Sequence, residues 1–246
     1  MRLEALATDY DGTLAHHGRV DDDTRDAVRR LRAAGRRVFL VTGRELPDLR
    51  ATCPCLDLFD WVVAENGALL YQPATGAEKA LAAPPPEKFL QALRDRGVKP
   101  VSAGRVIVAT WEPHEKAVLG AIRDLGLELQ VIFNKGAVMV LPSGVNKATG
   151  LAAALAAAGL TADRVVGVGD AENDHAFLNL CAIAVAVANA QPAVKEQVDW
   201  VTPGDHGAGV RQLIEAMLAG DLAGRVRRRP RPALGTASPV PRLSHP

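Results

Sequence analysis

Two carboxylates separated by a single residue, Asp9 and Asp11 in "LEALATDYDGTLA" (residues 3–15), follow directly on an apolar run. Each raises the other's cost of ionising, so the pair needs a counter-charge or a metal ion. A second acidic stretch, "GVGDAENDHAF" (residues 167–177), adds Asp170, Glu172, Asn173 and Asp174, again behind an apolar run. Such an oxygen-rich set suits a hard cation, and Mg²⁺ in particular, which binds through a few carboxylates together with a substrate phosphate. Lys147 follows Asn146, the expected N-cap of a helix. A cation there opposes the helix dipole, and beside the acids it reads as the fixed positive charge for a phosphoryl group. A nucleophilic carboxylate, a second acid, a threonine (Thr42), a lysine and an acidic metal cluster together can make and break an aspartyl-phosphate.

Other chemistries lack their signatures. No GxxxxGK[ST] is present, and "GVGDAE" lacks the third glycine of GxGxxG, so neither a P-loop nor a dinucleotide fingerprint exists. Zinc would require His or Cys at ligand spacing; His16, His17 and His175 do not have it and read as surface or satisfied residues. Cys53 and Cys55, in "CPC", have the wrong spacing for a CxxC site and read as loop residues.

The elements that must position these residues follow from apolar patterning. Short β-branched runs at 3–8, 37–42, 61–65, 164–169 and 183–188 alternate with helical patterns, which predicts βαβ units and a parallel sheet. "DDTRDAVRRLRAAG" (22–35) places Ala27, Val28, Leu31 and Ala34 at helical spacing, with acids in its first turn and Gly35 to stop it. "NKATGLAAALAAAG" (146–159) is a second such helix. Ligands of open parallel sheets collect beyond the carboxyl ends of the strands. Four of the runs end on polar groups: Asp9 with Asp11, Thr42-Gly43-Arg44, Glu65-Asn66-Gly67 and Asp170.

Residues 83–143 have a different character. "APPPEKFLQALRDRG" and "PHEKAVLGAIRDLG" predict two helices, "RVIVAT" a strand, and "ELQVIFNKGAVMVLP" a hairpin closed by Asn134-Lys135-Gly136. The expected organisation is therefore a parallel-sheet core, 1–82 and 144–221, with a small α+β module, 83–143, inserted between its halves.

A chain of 246 residues, 48% apolar and 23% charged, is ordinary for a soluble globular protein, and no apolar run reaches membrane-spanning length. Glu4 and Asp9 interrupt the N-terminus where a secretory signal would be apolar, and three cysteines do not make a disulfide framework; both point to the cytoplasm. The formal charge of +1 conceals an asymmetry, because residues 222–246 hold six arginines and no acid, leaving −5 for residues 1–221. That Pro-rich stretch reads as a disordered tail or a linker, and as the one segment through which nucleic acid would be touched. No membrane partner is expected, and the oligomeric state is open.

In order and spacing, "DYDGT", "VTGR", "GVNKATGL" and "GDAENDHAF" resemble the four motifs of the haloacid dehalogenase (HAD) superfamily over residues 3 to about 220. "ENGALLY" before the insertion and "GVNK" after it are similar to subfamily IIB, the Cof-type group that includes sugar-phosphate phosphatases. The resemblance implies a Rossmann-like α/β core with a type 2 cap, and phosphatase activity on a small phosphorylated metabolite. It also implies roles: Asp9 as nucleophile and Asp11 as acid and base; Mg²⁺ held by Asp9, the Asp11 carbonyl, Asp170 and Asp174; phosphoryl oxygens held by Thr42, Gly43, Lys147 and Asn173. Specificity would come from the cap, where Arg105, Glu112, His114, Asn134 and Lys135 are the polar candidates. A phosphomutase of the same subfamily, or a switch that stores phosphate on Asp9, are the competing readings.

Overall fold

The computed structural model describes residues 2–224; the arginine-rich tail expected from 222 onward lies, beyond Gly224, outside the described residues. The chain opens with β1 (Ala5–Asp9), α1 (Asp22–Ala33), β2 (Arg37–Val41), α2 (Leu46–Thr52) and β3 (Trp61–Ala64), then an antiparallel pair, β4 (Leu69–Gln72) and β5 (Ala77–Ala80). An inserted unit follows, with α3 (Glu87–Asp95), β6 (Ser102–Ala103), β7 (Val108–Trp111), α4 (Glu115–Asp124), β8 (Leu129–Asn134) and β9 (Ala137–Pro142). The chain then returns to the first sheet through α5 (Lys147–Ala157), β10 (Val165–Gly169), α6 (His175–Leu180), β11 (Ile183–Ala186), α7 (Pro192–Lys195), β12 (Trp200–Val201) and α8 (His206–Gly220).

The large sheet has the order β12-β11-β10-β1-β2-β3-β4-β5, parallel from β12 to β3. β1 and β10 are buried at every residue, which is why they read as continuous apolar runs and not as alternating ones. Strand order reverses between β1 and β10, and Asp9 and Asp170 stand at the carboxyl ends of that pair. A crevice opens where neighbouring connections leave the sheet in opposite directions.

Helix α1 starts as its sequence requires: Asp21 accepts from the Thr24 amide at 2.7 Å, Asp22 and Asp23 sit in the first turn, and Arg30 and Arg32 in the last. Its Ala27, Val28 and Leu31 pack into the main core. Helix α5 begins with a reciprocal capping box between Asn146 and Thr149, which fixes Lys147 in its first turn.

The inserted unit has its own four-stranded antiparallel sheet, β6-β7-β9-β8, backed by α3 and α4 around Phe89, Leu93, Val108, Val118, Val138 and Val140. Lys135 and Gly136 form the two-residue turn between β8 and β9, with φ of 50° and 84°. Some elements differ from expectation. β1 runs on to Asp9 because that residue still pairs with Val41, and β3 stops one residue early because Glu65 turns into the left-handed region at φ 51°. β4, β5 and β12 extend the sheet beyond the five expected strands. Cys53 and Cys55 do lie outside helix and strand, yet they are buried, with sulfurs 3.3 Å apart. Among the described residues no helix is long and apolar enough to cross a membrane.

Candidate active site

The carboxyl end of β1 forms the floor of the crevice. Asp9 is 4% exposed, and its Oδ1 accepts from the Lys147 ammonium at 2.7 Å. The same ammonium donates to Asp174 Oδ1 at 2.6 Å. Lys147 is 1% exposed, so a fully buried cation is shared between two buried carboxylates. Asp174 Oδ2 in turn accepts from the backbone amides of Asp170 and Ala171 at 2.9 and 3.0 Å, locking the turn after β10.

These charges shift one another. Burial, reinforced by the nearby Asp174 carboxylate, pushes the Asp9 carboxyl up to about 8 in the absence of a metal ion, against the opposing pull of Lys147. Burial alone would lower the Lys147 pKa, but Asp174 and Asp9 outweigh it and hold the ammonium above its ordinary value.

Asp170 accepts from the Thr13 hydroxyl at 3.0 Å and from Lys135 Nζ at 2.9 Å. Lys135 also donates to the Asp11 carbonyl at 2.9 Å. Oxygens from Asp9, Asp170 and Asp174 all lie within 4.8 Å of one another. Three carboxylates with no nitrogen or sulfur donor fit a hard divalent cation, and the Lys135 ammonium shows that the Asp11 carbonyl and Asp170 jointly accept positive charge. Gly12, at φ 92°, lets the backbone pass this point: a Cβ there would stand 2.4 Å from Asp170 Oδ2.

The Asp11 side chain points elsewhere. Arg44 grips it as a fork, Nε to Oδ2 at 2.6 Å and Nη2 to Oδ1 at 2.8 Å, while its Nη1 reaches Asp48 at 2.6 Å. The bond to Asp11 holds the guanidinium pKa above its usual value. Thr42 is buried beneath the cleft, its hydroxyl accepting from the Arg44 amide at 3.1 Å, and Gly43 lines the cleft itself. Asn173 lines it too; its amide donates to Asn66 Oδ1 at 3.2 Å, and its own Oδ1 is buried without a partner among the described residues.

The cleft encloses about 650 Å³ between the main sheet and the inserted unit. Asp9, Asp11, Lys147 and Asn173 line its floor; Asn134, Lys135, Thr110 and Met139 come from the inserted unit. Of the polar residues expected to face substrate, Asn134 and Lys135 do. Arg105 pairs with Glu78, and the His114 ring meets the Lys99 carbonyl, while neither lines the cleft. Glu112 does not line it either. His16 and His17 are exposed, as expected, and His16 stacks on His206, whose Nδ1 lies 2.9 Å from the Gly12 carbonyl.

Several contributors escaped the sequence reading. Arg44 was visible in "VTGR", but nothing local reveals that its partner is Asp11. Glu65 is fully buried and accepts from the amides of Arg105, Val106 and Ile107 at 2.7–2.9 Å, fastening the inserted unit to the end of β3. Thr13 and Asn189 support the site from below, Asn189 by donating to the Gly12 carbonyl at 2.7 Å.

A parallel sheet carries clustered acids and a buried lysine at its switch point, facing an inserted α+β unit, an arrangement that can take a phosphoric monoester. The chain belongs to the haloacid dehalogenase-like hydrolases, whose family profile matches residues 6–102 and 122–214. It is 31% identical over 225 residues to the phosphoglycolate phosphatase of Methanothermobacter thermautotrophicus, covering 88% of this chain and 99% of that one. Phosphoglycolate phosphatase 2 of Saccharolobus solfataricus is 29% identical over 227 residues, covering 90% and 95%. The fold is similar to that of Thermoplasma acidophilum 0175, with a TM-score of 0.76 at 18% identity over 89% of this chain and 99% of that chain.

Proposed function

We propose that the protein is a Mg²⁺-dependent phosphatase of a short phosphorylated acid, of which 2-phosphoglycolate is the model substrate, acting through an aspartyl-phosphate on Asp9. The observation that carries this reading is the Asp9 carboxylate on the cleft floor, with one oxygen held by Lys147 and the other side open to the Asp170 cluster. The names of the similar phosphatases support the substrate class.

Asp9 attacks phosphorus and the bond to the ester oxygen breaks; Asp11 gives that oxygen its proton. For this step the Asp11 carboxyl leaves the Arg44 fork and turns into the cleft. Water then attacks phosphorus, Asp11 takes its proton, the bond between phosphorus and Asp9 breaks, and phosphate and the free carboxylate are restored. Lys147, the Gly43 amide, Thr42 and Asn173 hold the phosphoryl oxygens as charge redistributes. Asp9, the Asp11 carbonyl and Asp170 would hold Mg²⁺, with Asp174 positioning the ion directly or through water while it orients Lys147 and the turn after β10. When bound, the ion screens the phosphoryl charge from Asp9. The inserted unit acts as a cap that keeps bulk water from the leaving group.

Phosphate release from 2-phosphoglycolate, sugar phosphates, nucleotides and an aryl phosphate, measured with Mg²⁺ and with excess chelator, tests this. Turnover with 2-phosphoglycolate among the best, lost in chelator and in Asp9→Asn, is expected. Isomerised sugar phosphate without release would mark a mutase, one stoichiometric phosphorylation a switch, and release that survives Asp9→Asn would remove Asp9 as nucleophile.

A further inference from the structure

Lys135 is carried by the inserted unit, yet its ammonium rests on the floor of the site, 2.9 Å from the Asp11 carbonyl and 2.9 Å from Asp170 Oδ2. We propose that Lys135 is a specificity-determining residue that binds the second anionic group of the substrate, the carboxylate of a short phosphorylated acid, once a divalent cation has displaced it from Asp170. This rests on the phosphatase reading and assigns that reading's substrate preference to one side chain.

The length of the substrate makes the first argument. In a two-carbon phosphoacid the carboxylate is a few bonds from phosphorus, so it stays at the depth of Asp9 and Asp11. A group that recognises it must reach that depth. Among the other polar candidates of the inserted unit, Arg105, Glu112 and His114 do not line the cleft, and Asn134, which does, carries no charge to offset a carboxylate.

Charge makes the second. Lys147 is fixed between Asp9 and Asp174, and Arg44 stays tied to Asp48 when the Asp11 carboxyl turns into the cleft. Lys147, like Lys135, shares its partners with the oxygen set that would hold the metal ion, but it is buried at a helix start, whereas Lys135 has open space to move into. A divalent cation on Asp170 and the Asp11 carbonyl would repel an ammonium bound to the same oxygens. Lys135 then has to move, and its stem allows that: the side chain is 45% exposed, whereas its Cα is pinned in the hairpin turn by the pairing of Asn134 with Ala137. The four-carbon stem swings on a fixed base, and since Lys147, the Gly43 amide, Thr42 and Asn173 serve the phosphoryl oxygens, the anion left for Lys135 is the substrate's carboxylate.

The test compares the native protein with Lys135→Met and Lys135→Arg on 2-phosphoglycolate and on 2-hydroxyethyl phosphate, its uncharged-tail analogue. Loss of one charge-assisted contact should lower the ratio of kcat/KM for the two compounds about 10- to 100-fold in Lys135→Met, mainly through KM for the acid, with partial recovery in Lys135→Arg. Calorimetric titration of the substrate-free proteins with Mg²⁺ should show tighter binding in Lys135→Met, because a competing cation has gone. An unchanged ratio, or a parallel loss on both compounds, overturns the specificity role; equal or weaker Mg²⁺ binding in the variant overturns the displacement. A native protein inactive on both compounds but active on another phosphate ester would overturn the short-acid specificity and leave the phosphatase reading standing, while the Mg²⁺ titration would still decide whether Lys135 competes for the metal's oxygens.

Discussion

In the proposed mechanism Asp9 must be ionised to attack phosphorus, and it sits where ionisation is costly. Its carboxyl is raised from 3.8 to about 8 in the metal-free protein, by burial first and by Asp174 second. Between those values the unfolded chain has released the proton and the folded chain still holds it. Stability of the metal-free protein therefore falls as pH rises from about 4 to about 8, and levels off above. Thermal unfolding in chelator should show this decline, and saturating Mg²⁺, which favours the ionised form, should reduce it. Asp9→Asn removes the buried acid and keeps its shape, so it should abolish turnover while raising the metal-free Tm at pH 8 by about 3 °C or more, and flatten the pH profile. A variant less stable than the native protein at pH 8 would contradict this account. Lys147→Met is the opposite case: it strands Asp9 and Asp174 without their shared cation, and is expected to cost about 3–5 kcal/mol in denaturant titrations at pH 8, and less at pH 5.

Among the elements, the joint between β3 and the inserted unit is the point where one side chain has the largest structural reach. Glu65 accepts three amides from residues 105–107, forty positions further along the chain. Glu65→Ala would leave those amides unpaired; a cost of about 3 kcal/mol and faster hydrogen exchange at Arg105, Val106 and Ile107 are expected, with less change in Glu65→Gln. Sequence showed Glu65 only as a polar strand end, because its partners are backbone groups that carry no residue signature. The elements that were legible had local causes. α1 and α5 announced themselves through caps and end charges, and the β8–β9 hairpin through Asn134-Lys135-Gly136. β5, "AEKA", is exposed at all four positions, and β12 has two residues, so neither carries an apolar pattern to read. The site followed the same division. Asp9, Asp170, Asp174 and Lys147 were visible as types at strand ends and a helix start, whereas the Arg44 fork on Asp11 and the descent of Lys135 to the floor depend on how distant segments face each other.

At the scale of the whole molecule, the two units differ in how much apolar surface holds them. The main cluster runs from Leu3 to Leu222 across the large sheet and its helices, while that of the inserted unit has eight buried residues and shares none with it. A smaller cluster, with Ala68 and Val145 at the edge of the main unit and Val106, Ile107, Met139 and Leu141 from the insertion, joins the two. Hydrophobic stabilisation scales with the area removed from water, so the inserted unit should open at lower free energy than the sheet. Native-state hydrogen exchange should show this as weaker protection at Phe89, Val118 and Val140 than at Leu6, Val38 and Val166. Mg²⁺ with a phosphate analogue, held by groups from both units, should raise protection in the inserted unit more than in the sheet, since a ligand stabilises the closed arrangement that binds it and not the opened one. Equal protection in the two units, with no differential gain on adding ligand, would mean that the molecule opens as one body and that access to Asp9 is not controlled by the inserted unit.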